Sequence, residues 1–167
     1  PWSVPDYFDV HEQCTALAES GAYRTERFTL GGTDPQPLQG ITCTPGVLRT
    51  LGMQPVIGRW FSDDDEQRDA PLVVLLSHAC WTRLFAADPA LVGQPIRLSG
   101  VPYTVIGVMP ANFEFYCPWT GTRAIDLWTP LHLSREGAYR GSHSLLAVGR
   151  LKSGVTLGAA KAELKVI

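Results

Sequence analysis

The amino-acid sequence predicts an α+β fold, and three observations support that prediction. Ser or Thr residues that can cap a helix precede helical patterns at Ser3, Thr44, Ser77 and Thr156. Alternating or continuously apolar runs, typical of strands, lie between these helices. Along the chain the order is α-β-β-α, then β-α-β-β, then β-α, which is the mixture expected of an α+β domain.

The first third of the chain predicts a helix, two strands and a second helix. The first helix starts at Ser3, and its apolar positions are Tyr7, Val10, Cys14 and Leu17. Residues 23–30 and 37–42 read as paired strands. Thr44 and Pro45 begin the second helix, which Gly52 ends. Gly46 is expected to weaken the start of this helix by roughly 0.5–1 kcal/mol relative to alanine.

A rigid connector follows the second helix, and a more strand-rich section comes after it. Pro55 and Gly58 are expected to fix the path of the connector. Residues 72–76 predict a buried strand, and residues 96–108 predict a hairpin that turns at Ser99-Gly100. Residues 112–141 are rich in loop signals, with a brief apolar patch at Leu127 and Trp128. A strand over 144–151 and a helix after Thr156 complete the chain.

Composition and charge exclude several functional classes. Of the 167 residues 45% are apolar and 18% charged, as in folded soluble domains, and the formal net charge is 14 − 16 = −2. Without a cluster of Lys and Arg, nucleic acid is not expected as a partner. No apolar run reaches the 18 residues of a membrane span.

Pro1 and Ile167 lack ordinary start and stop signals, so we expect the chain to be a piece of a larger protein.

No catalytic, cofactor-binding or metal-binding residues are predicted. His78 and Cys80 are two positions apart on a helix and therefore point to different faces, which makes them a poor metal pair. The acidic run at residues 63–66 lacks the glycine and the spacing of a calcium loop. Phosphate-binding loops and nucleophile elbows are missing as well. Four widely spaced cysteines, Cys14, Cys43, Cys80 and Cys117, leave buried thiols and disulfides both open.

One aromatic cluster is the candidate interaction surface. It combines residues of the loop-rich stretch, namely Phe113, Phe115, Tyr116 and Trp119. Aromatic residues are enriched at protein interfaces, so a contact surface is one interpretation and core packing the other. For Trp81, helical spacing with Leu84 and Phe85 favours core packing instead.

Several phrases taken together resemble the MacB-like periplasmic core domain of ABC transporter permeases, most closely the permeases abundant in acidobacteria. The matching positions are Gly40, Thr44-Pro45, Leu51 to Pro55, Gly58 to Phe61, Val73 to Ser77, Trp81, Phe85, Asp88-Pro89, Val92-Gly93, Tyr103 to Pro110, Phe113, Leu127 to Leu131, Gly149 to Lys152, Gly154-Val155 and Ala162 to Leu164. They cover nearly the whole chain in the expected order.

The resemblance implies an architecture and a place in the cell. A porter-like α/β subdomain is expected from both chain ends, residues 1–61 and 132–167, with an inserted β-rich subdomain at 62–131. The connector after Gly52 would lead from the first half of the porter-like subdomain into the inserted subdomain. The domain would lie between two transmembrane helices, on the periplasmic side of the cytoplasmic (inner) membrane.

The resemblance also implies a non-catalytic function. ATP would be hydrolysed by a separate cytoplasmic subunit or domain, and this domain would couple that hydrolysis to efflux or mechanical work, or dock partner proteins. Expected partners are the protein's own transmembrane helices, the ATP-binding module, and a periplasmic adaptor or second permease copy. The alternative from another class is an extracytoplasmic module that binds a peptide or small molecule through residues 113–119.

Overall fold

A computed structural model describes residues 1–116 and 124–167 and shows an α+β fold. The helices are α1 (Val4–Gln13), α2 (Pro45–Leu51), α3 (His78–Phe85) and α4 (Leu157–Glu163). The strands are β1 (Leu17–Leu30), β2 (Gln36–Cys43), β3 (Ile57–Gly58), β4 (Val73–Leu76), β5 (Pro95–Leu98), β6 (Val101–Val108), β7 (Leu127–Pro130) and β8 (Leu146–Leu151). Within the described ranges, none of these helices is long and apolar enough to cross a bilayer.

All eight strands belong to one sheet, which curls back on itself. The order is β2-β7-β4-β6-β5-β1-β8, with β3 paired to β6 beside this path. Strand β1 also pairs with β2, so the path from β2 round to β1 closes. The β5–β1 junction is narrow, with the single pair Leu30 and Leu98. Strand β8 lies outside this ring on the remaining part of β1. The strands of residues 62–131 therefore share a sheet with those of both chain ends.

Strand β1 links the two parts of this sheet because it is 14 residues long. Its first half pairs antiparallel with β8, from Leu17 opposite Leu151 to Tyr23 opposite Leu146. Its second half pairs antiparallel with β2, from Tyr23 opposite Cys43 to Leu30 opposite Gln36. Tyr23 is the position of β1 at which pairing with β8 ends and pairing with β2 begins.

Helix α1 is shorter, and β1 longer, than the sequence predicts. The capping box of Ser3 and Asp6 begins the helix as expected. The helix ends at Gln13, however, and Leu17 already pairs with Leu151 of β8. The prediction of one helix through Leu17 is therefore wrong. Helical spacing cannot reveal that a strand more than 100 residues away in sequence will pair with this segment.

Helix α2 packs against β1 through two glycines. A Cβ atom on Gly46 would lie 2.0 Å from the Ser20 carbonyl oxygen, and one on Gly21 would lie 2.2 Å from the Val47 nitrogen. The Thr44 hydroxyl does not cap its own helix but accepts a hydrogen bond from the Ala22 amide, at 3.1 Å. Gly46 therefore permits a close backbone approach, which sequence propensity alone could not show.

The connector after α2 is fixed against strand β6. Gly52 ends α2 in the left-handed region, at φ 67°. The Val56 amide donates to the Val108 carbonyl at 2.9 Å, and the Arg59 amide to the Ile106 carbonyl at 3.0 Å. Between them Gly58 has φ 79°, and a Cβ there would lie 2.0 Å from the Ile106 oxygen. The rigid path expected from Gly58 is confirmed.

A buried carboxylate holds the end of the connector. Asp65 is 6% exposed and accepts two hydrogen bonds from the Arg59 guanidinium, at 2.6 and 2.9 Å. It also accepts from the Ser62 amide and hydroxyl, at 2.7 and 2.9 Å. Burial raises the pKa of Asp65, but the hydrogen bonds from Arg59 and Ser62 outweigh burial and leave that pKa below its usual value.

The described residues form three apolar core clusters, one on each side of the closed part of the sheet and one under α1. Trp128 of β7 is 2% exposed and lies in the first cluster, while Trp81 of α3 is 8% exposed and lies in the second. Core packing of Trp81 is thus confirmed. Tyr7 and Leu145 belong to the third cluster. The stretch that the sequence predicts to be loop-rich contains strand β7, which includes Trp128. The sequence indicates only an apolar patch there, because β7 has just four residues.

Charged side chains attach the last third of the chain to α1 and to the residues directly after it. Arg135 and Arg140 form ion pairs with carboxylates of α1, and both contact Asp9, at 3.0 and 2.6 Å. The Glu163 carboxylate of α4 accepts from the amides of Thr15 and Ala16, at 2.6 and 3.0 Å. These contacts position α4 and the 133–143 segment against the start of the chain.

Candidate interaction site

The aromatic residues after β6 divide between the core and the surface. Phe113 and Phe115 are half-buried, with the Phe113 ring 5.4 Å from that of Trp128 and the Phe115 ring 5.0 Å from that of Tyr23 in an edge-on contact. Tyr116 is 68% exposed. Trp119, the fourth predicted member, lies outside the described residues. The two phenylalanines therefore anchor the segment, and Tyr116 presents its ring to solvent.

Local sequence explains this division. Strand β6 ends before Pro110, and the Phe113 amide donates to the Pro110 carbonyl at 3.0 Å in a turn. Beyond this turn, burial alternates from Phe113 to Tyr116, with Glu114 exposed between the two phenylalanines. This period of two is that of an extended chain lying on the core.

A cleft opens beside this segment. One wall is the aromatic segment, and the opposite wall is the start of α3, at Ser77 and His78. Ile125 and Trp128 form its buried side, and its volume is about 530 Å3. Small-molecule sites have similar volumes and are mostly apolar with a few polar groups.

The polar groups of the cleft are few. The Trp128 Nε1–H is buried and has no hydrogen-bond partner within residues 1–116 and 124–167. Ser77 already accepts from the Cys80 amide at 3.0 Å, and His78 packs its ring 5.5 Å from that of Trp81. Glu114 supplies a carboxylate at the rim. The surface of the cleft therefore combines mostly apolar side chains with one carboxylate.

Comparison with known proteins identifies the family. The sequence profile described as the MacB-like periplasmic core domain matches residues 2–167. The chain belongs to the MacB-like periplasmic core domain family. The resemblance inferred from the sequence is thereby confirmed.

Relatives of known sequence are export proteins by name. The chain is 32% identical over 96 residues to the probable export ATP-binding/permease protein MacB of Pseudomonas entomophila, covering 57% of this chain and 14% of that protein. It is 30% identical over 121 residues to the probable syringafactin export ATP-binding/permease protein SyfD of Pseudomonas syringae pv. tomato, covering 72% and 17%. The chain therefore spans about one sixth of the length of these relatives.

Solved structures confirm the fold of this MacB-like domain. The periplasmic region of MacB from Actinobacillus actinomycetemcomitans superposes with a TM-score of 0.74 at 15% identity, over 98% of this chain and 71% of that one. The extracellular domain of the noncanonic ABC-type transporter YknZ from Gram-positive bacteria gives a TM-score of 0.67 at 15% identity, over 97% and 78%. The α+β prediction is therefore confirmed.

The three cysteines that the structure of this MacB-like domain describes are not among the residues that line the cleft. Cys43 and Cys80 are buried free thiols, and Cys14 is a half-buried one. Cys117 lies outside the described residues. Burial raises the pKa of Cys43 well above its usual value and raises that of Cys80 to about 12. In the part of the chain that the structure describes, no group of three His, Cys, Asp or Glu residues could hold a metal ion.

Thiol labelling of the folded protein should distinguish these cysteines. We expect Cys43 and Cys80 to react with iodoacetamide at pH 8 at least about 100-fold more slowly than the same residues in urea, because only an exposed thiolate is nucleophilic. Mass spectrometry of tryptic peptides measures both rates, and the peptide of half-buried Cys14 provides the faster internal reference. Rapid labelling of native Cys80 would contradict the burial described here.

Proposed function

We propose that this chain is the extracytoplasmic domain of an ABC-type export permease, and that it is not an enzyme. Two findings support the proposal: the chain belongs to the MacB-like periplasmic core domain family, and its relatives are named export ATP-binding/permease proteins. ATP is hydrolysed in a separate nucleotide-binding module. Here the domain couples that hydrolysis to efflux or mechanical work outside the cytoplasmic membrane, and it docks partner proteins.

Strand β1 is the observation that best supports a coupling function. Because its two halves pair with β8 and with β2, a displacement of the chain ends reaches the strands of residues 62–131 through one continuous backbone. The connector adds a second attachment, since it is hydrogen-bonded to Val108 and Ile106 of β6. A sheet joined in this way moves as one body, as transmission of force requires.

A division of the chain into two parts belongs to the proposal. Residues 1–61 and 132–167 form the porter-like part, in which α1, α2 and α4 pack near β1 and β8. Residues 62–131 form the insertion, which contains β4, β5, β6 and β7. The boundary at residue 61 lies between Arg59 and Asp65, whose ion pair joins the two parts.

The aromatic cleft is proposed as the docking surface. Phe113 and Phe115 hold the segment on the core, so exposed Tyr116 is presented on a rigid support, which lowers the entropy lost on binding. Trp119 is proposed as a further member. For the permease as a whole, the proposed partners are the cytoplasmic ATP-binding subunit or domain and the protein's own transmembrane helices. For this docking surface, the proposed partner is a periplasmic adaptor or a second permease copy.

A ligand-binding module is the second candidate, favoured by the largely apolar cleft of about 530 Å3 beside Tyr116. Binding of a peptide or small molecule would increase the free energy of unfolding by RT ln(1 + [L]/Kd), and the melting temperature would rise as a result. A thermal-shift screen tests this, with Tyr116→Ala as the variant that should lose any shift. A docking surface without a ligand site gives no shift with either protein.

Location is the part of the proposal most easily tested in cells. Lys152 is exposed just after β8. In the full-length protein, Lys152→Cys is combined with serine at every other cysteine except the buried Cys43 and Cys80, so that the new thiol is the accessible one. We expect a membrane-impermeant maleimide to label it in intact cells with a permeabilised outer membrane. Labelling that requires lysis of the cytoplasmic membrane would exclude an extracytoplasmic position.

A further inference from the structure

Segment 133–143, on the connection from β7 to β8, has no regular secondary structure. It lies between buried Leu131 and buried Leu145, and nearly all of its own residues are exposed. Its backbone hydrogen bonds close two single turns, and in residues 1–116 and 124–167 none of them joins the segment to another element. Side chains therefore hold the segment in place.

Two arginines of the segment bind one row of carboxylates on α1. Arg135 donates to Asp9 at 3.0 Å and to Glu12 at 2.9 Å. Arg140 donates to Asp6 at 2.8 Å and to Asp9 at 2.6 Å. The three carboxylates are three positions apart along the helix and so lie on one face, and Asp9 is the acceptor that both arginines share. The hydrogen bonds from Arg140 and Arg135 hold the pKa of Asp9 below its usual value.

Apolar contacts add little to this attachment. The Arg135 guanidinium lies over the Phe8 ring, 5.0 Å from its centre. Leu133 is half-buried beside the apolar cluster under α1. Tyr139, the aromatic residue of the segment, is 75% exposed and buries little of its ring. The segment is therefore held on α1 mainly by charge.

An attachment of this kind depends on ionic strength. The side chains of Arg135 and Arg140 are 42% and 62% exposed, and exposed ion pairs are weak because water and salt compete with them. The screening length falls from about 10 Å at 0.1 M salt to about 3 Å at 1 M. At low salt, opening would also leave three carboxylates without partners on one helix face, where like charges repel.

We propose that segment 133–143 is an electrostatic strap, which is closed on α1 at low ionic strength and open at high ionic strength while the sheet stays folded. Closure depends chiefly on Asp9. Opening exposes the carboxylate row of α1 and the face of the Phe8 ring under Arg135, and it separates the connection between β7 and β8 from α1. The proposal does not depend on whether the domain is part of an export permease.

Limited digestion of the full-length protein with trypsin tests the strap. Trypsin must bind the Arg140 side chain, which the closed strap holds against Asp6 and Asp9, so cleavage after Arg140 reports the open fraction. At about 20 mM salt we expect cleavage at least about 10-fold faster in Asp9→Asn than in the natural chain. At about 500 mM salt the two rates should be similar, because screening opens the natural strap. The ratio of the two rates cancels the effect of salt on trypsin itself.

The matched control is Asp64→Asn, the same change at an exposed carboxylate outside the row, which should leave cleavage after Arg140 unchanged. Cleavage after Arg150, within β8, detects unfolding and should stay slow throughout. Arg135→Gln removes two of the four hydrogen bonds without changing α1, and it should also accelerate cleavage after Arg140. Fast cleavage of the natural chain at low salt would overturn the proposal. So would slow cleavage that persists at high salt or in both strap variants, or an equal acceleration by Asp64→Asn.

Discussion

Replacing Gly46 by alanine is expected to lower the free energy of unfolding by about 3 kcal/mol, the upper end of the usual cost of overpacking. The added Cβ would lie 2.0 Å from the Ser20 carbonyl oxygen, which is a backbone atom of β1. Helix α2 must move away from the strand, which separates Val47 and Leu48 from the core they share with Tyr23. Urea unfolding followed by circular dichroism measures the change.

The matched control is Gly158→Ala in α4. Here the nearest atom to the new Cβ is the Thr156 hydroxyl oxygen at 3.9 Å, so there is space for the methyl group. Alanine should stabilise this helix by about 0.5–1 kcal/mol, as helix propensity predicts. If Gly46→Ala also stabilised the protein, the close packing of α2 on β1 would be wrong.

Replacing Asp65 by alanine is expected to cost about 2 to 3 kcal/mol. The change removes four hydrogen bonds from a carboxylate that is 6% exposed, and it frees the end of the connector. The loss should fall below the 3–5 kcal/mol typical of a fully buried pair, because the Arg59 side chain is half exposed and regains water. Thermal unfolding measures the effect.

The control for Asp65 is its neighbour Asp64, an exposed carboxylate in the same turn. Asp64→Ala should change stability by no more than about 0.5 kcal/mol, as surface substitutions usually do. Equal effects of the two substitutions would show that net charge, and not the Arg59–Asp65 ion pair, determines the stability of this region.

The pH dependence of stability follows from the lowered pKa of Asp65. Its contribution is fully present above the unfolded pKa, about 3.9, and is lost as the pH falls through the lower folded pKa. The neighbouring Glu66 has a pKa raised by burial, so its effect has the opposite sign. The difference in stability between the Asp65→Ala variant and the natural chain should therefore shrink as the pH falls below about 4.

Local signals in the sequence predicted the elements whose structure is decided locally. The capping box at Ser3, the left-handed cap at Gly52 and the hairpin turn at Ser99-Gly100 all depend on residues within a few positions of each other. The start of β1 at Leu17 and the strand at Trp128 depend on partners far along the chain. No periodicity within a short window contains that information.

The candidate site was only partly predictable for the same reason. Composition located the aromatic segment at Phe113, Phe115 and Tyr116, yet it could not separate the two rings that pack on the core from the one that is exposed. The opposite wall at His78 and the unpartnered donor of Trp128 come from elements distant in sequence. A preference for glycine at position 46 was likewise invisible, because it results from contact with Ser20.

The central claim is that this domain transmits motion as one body, and distance measurements on the full-length protein test it most directly. Spin labels at Lys152, after β8, and at Val101, at the start of β6, report on the sheet from β8 through β1 to β6. We predict that their distance stays the same, within about 1 Å, between nucleotide-free and ATP-bound states, while distances from the domain to the rest of the permease change. A shift of several ångströms between the two labels would contradict the account.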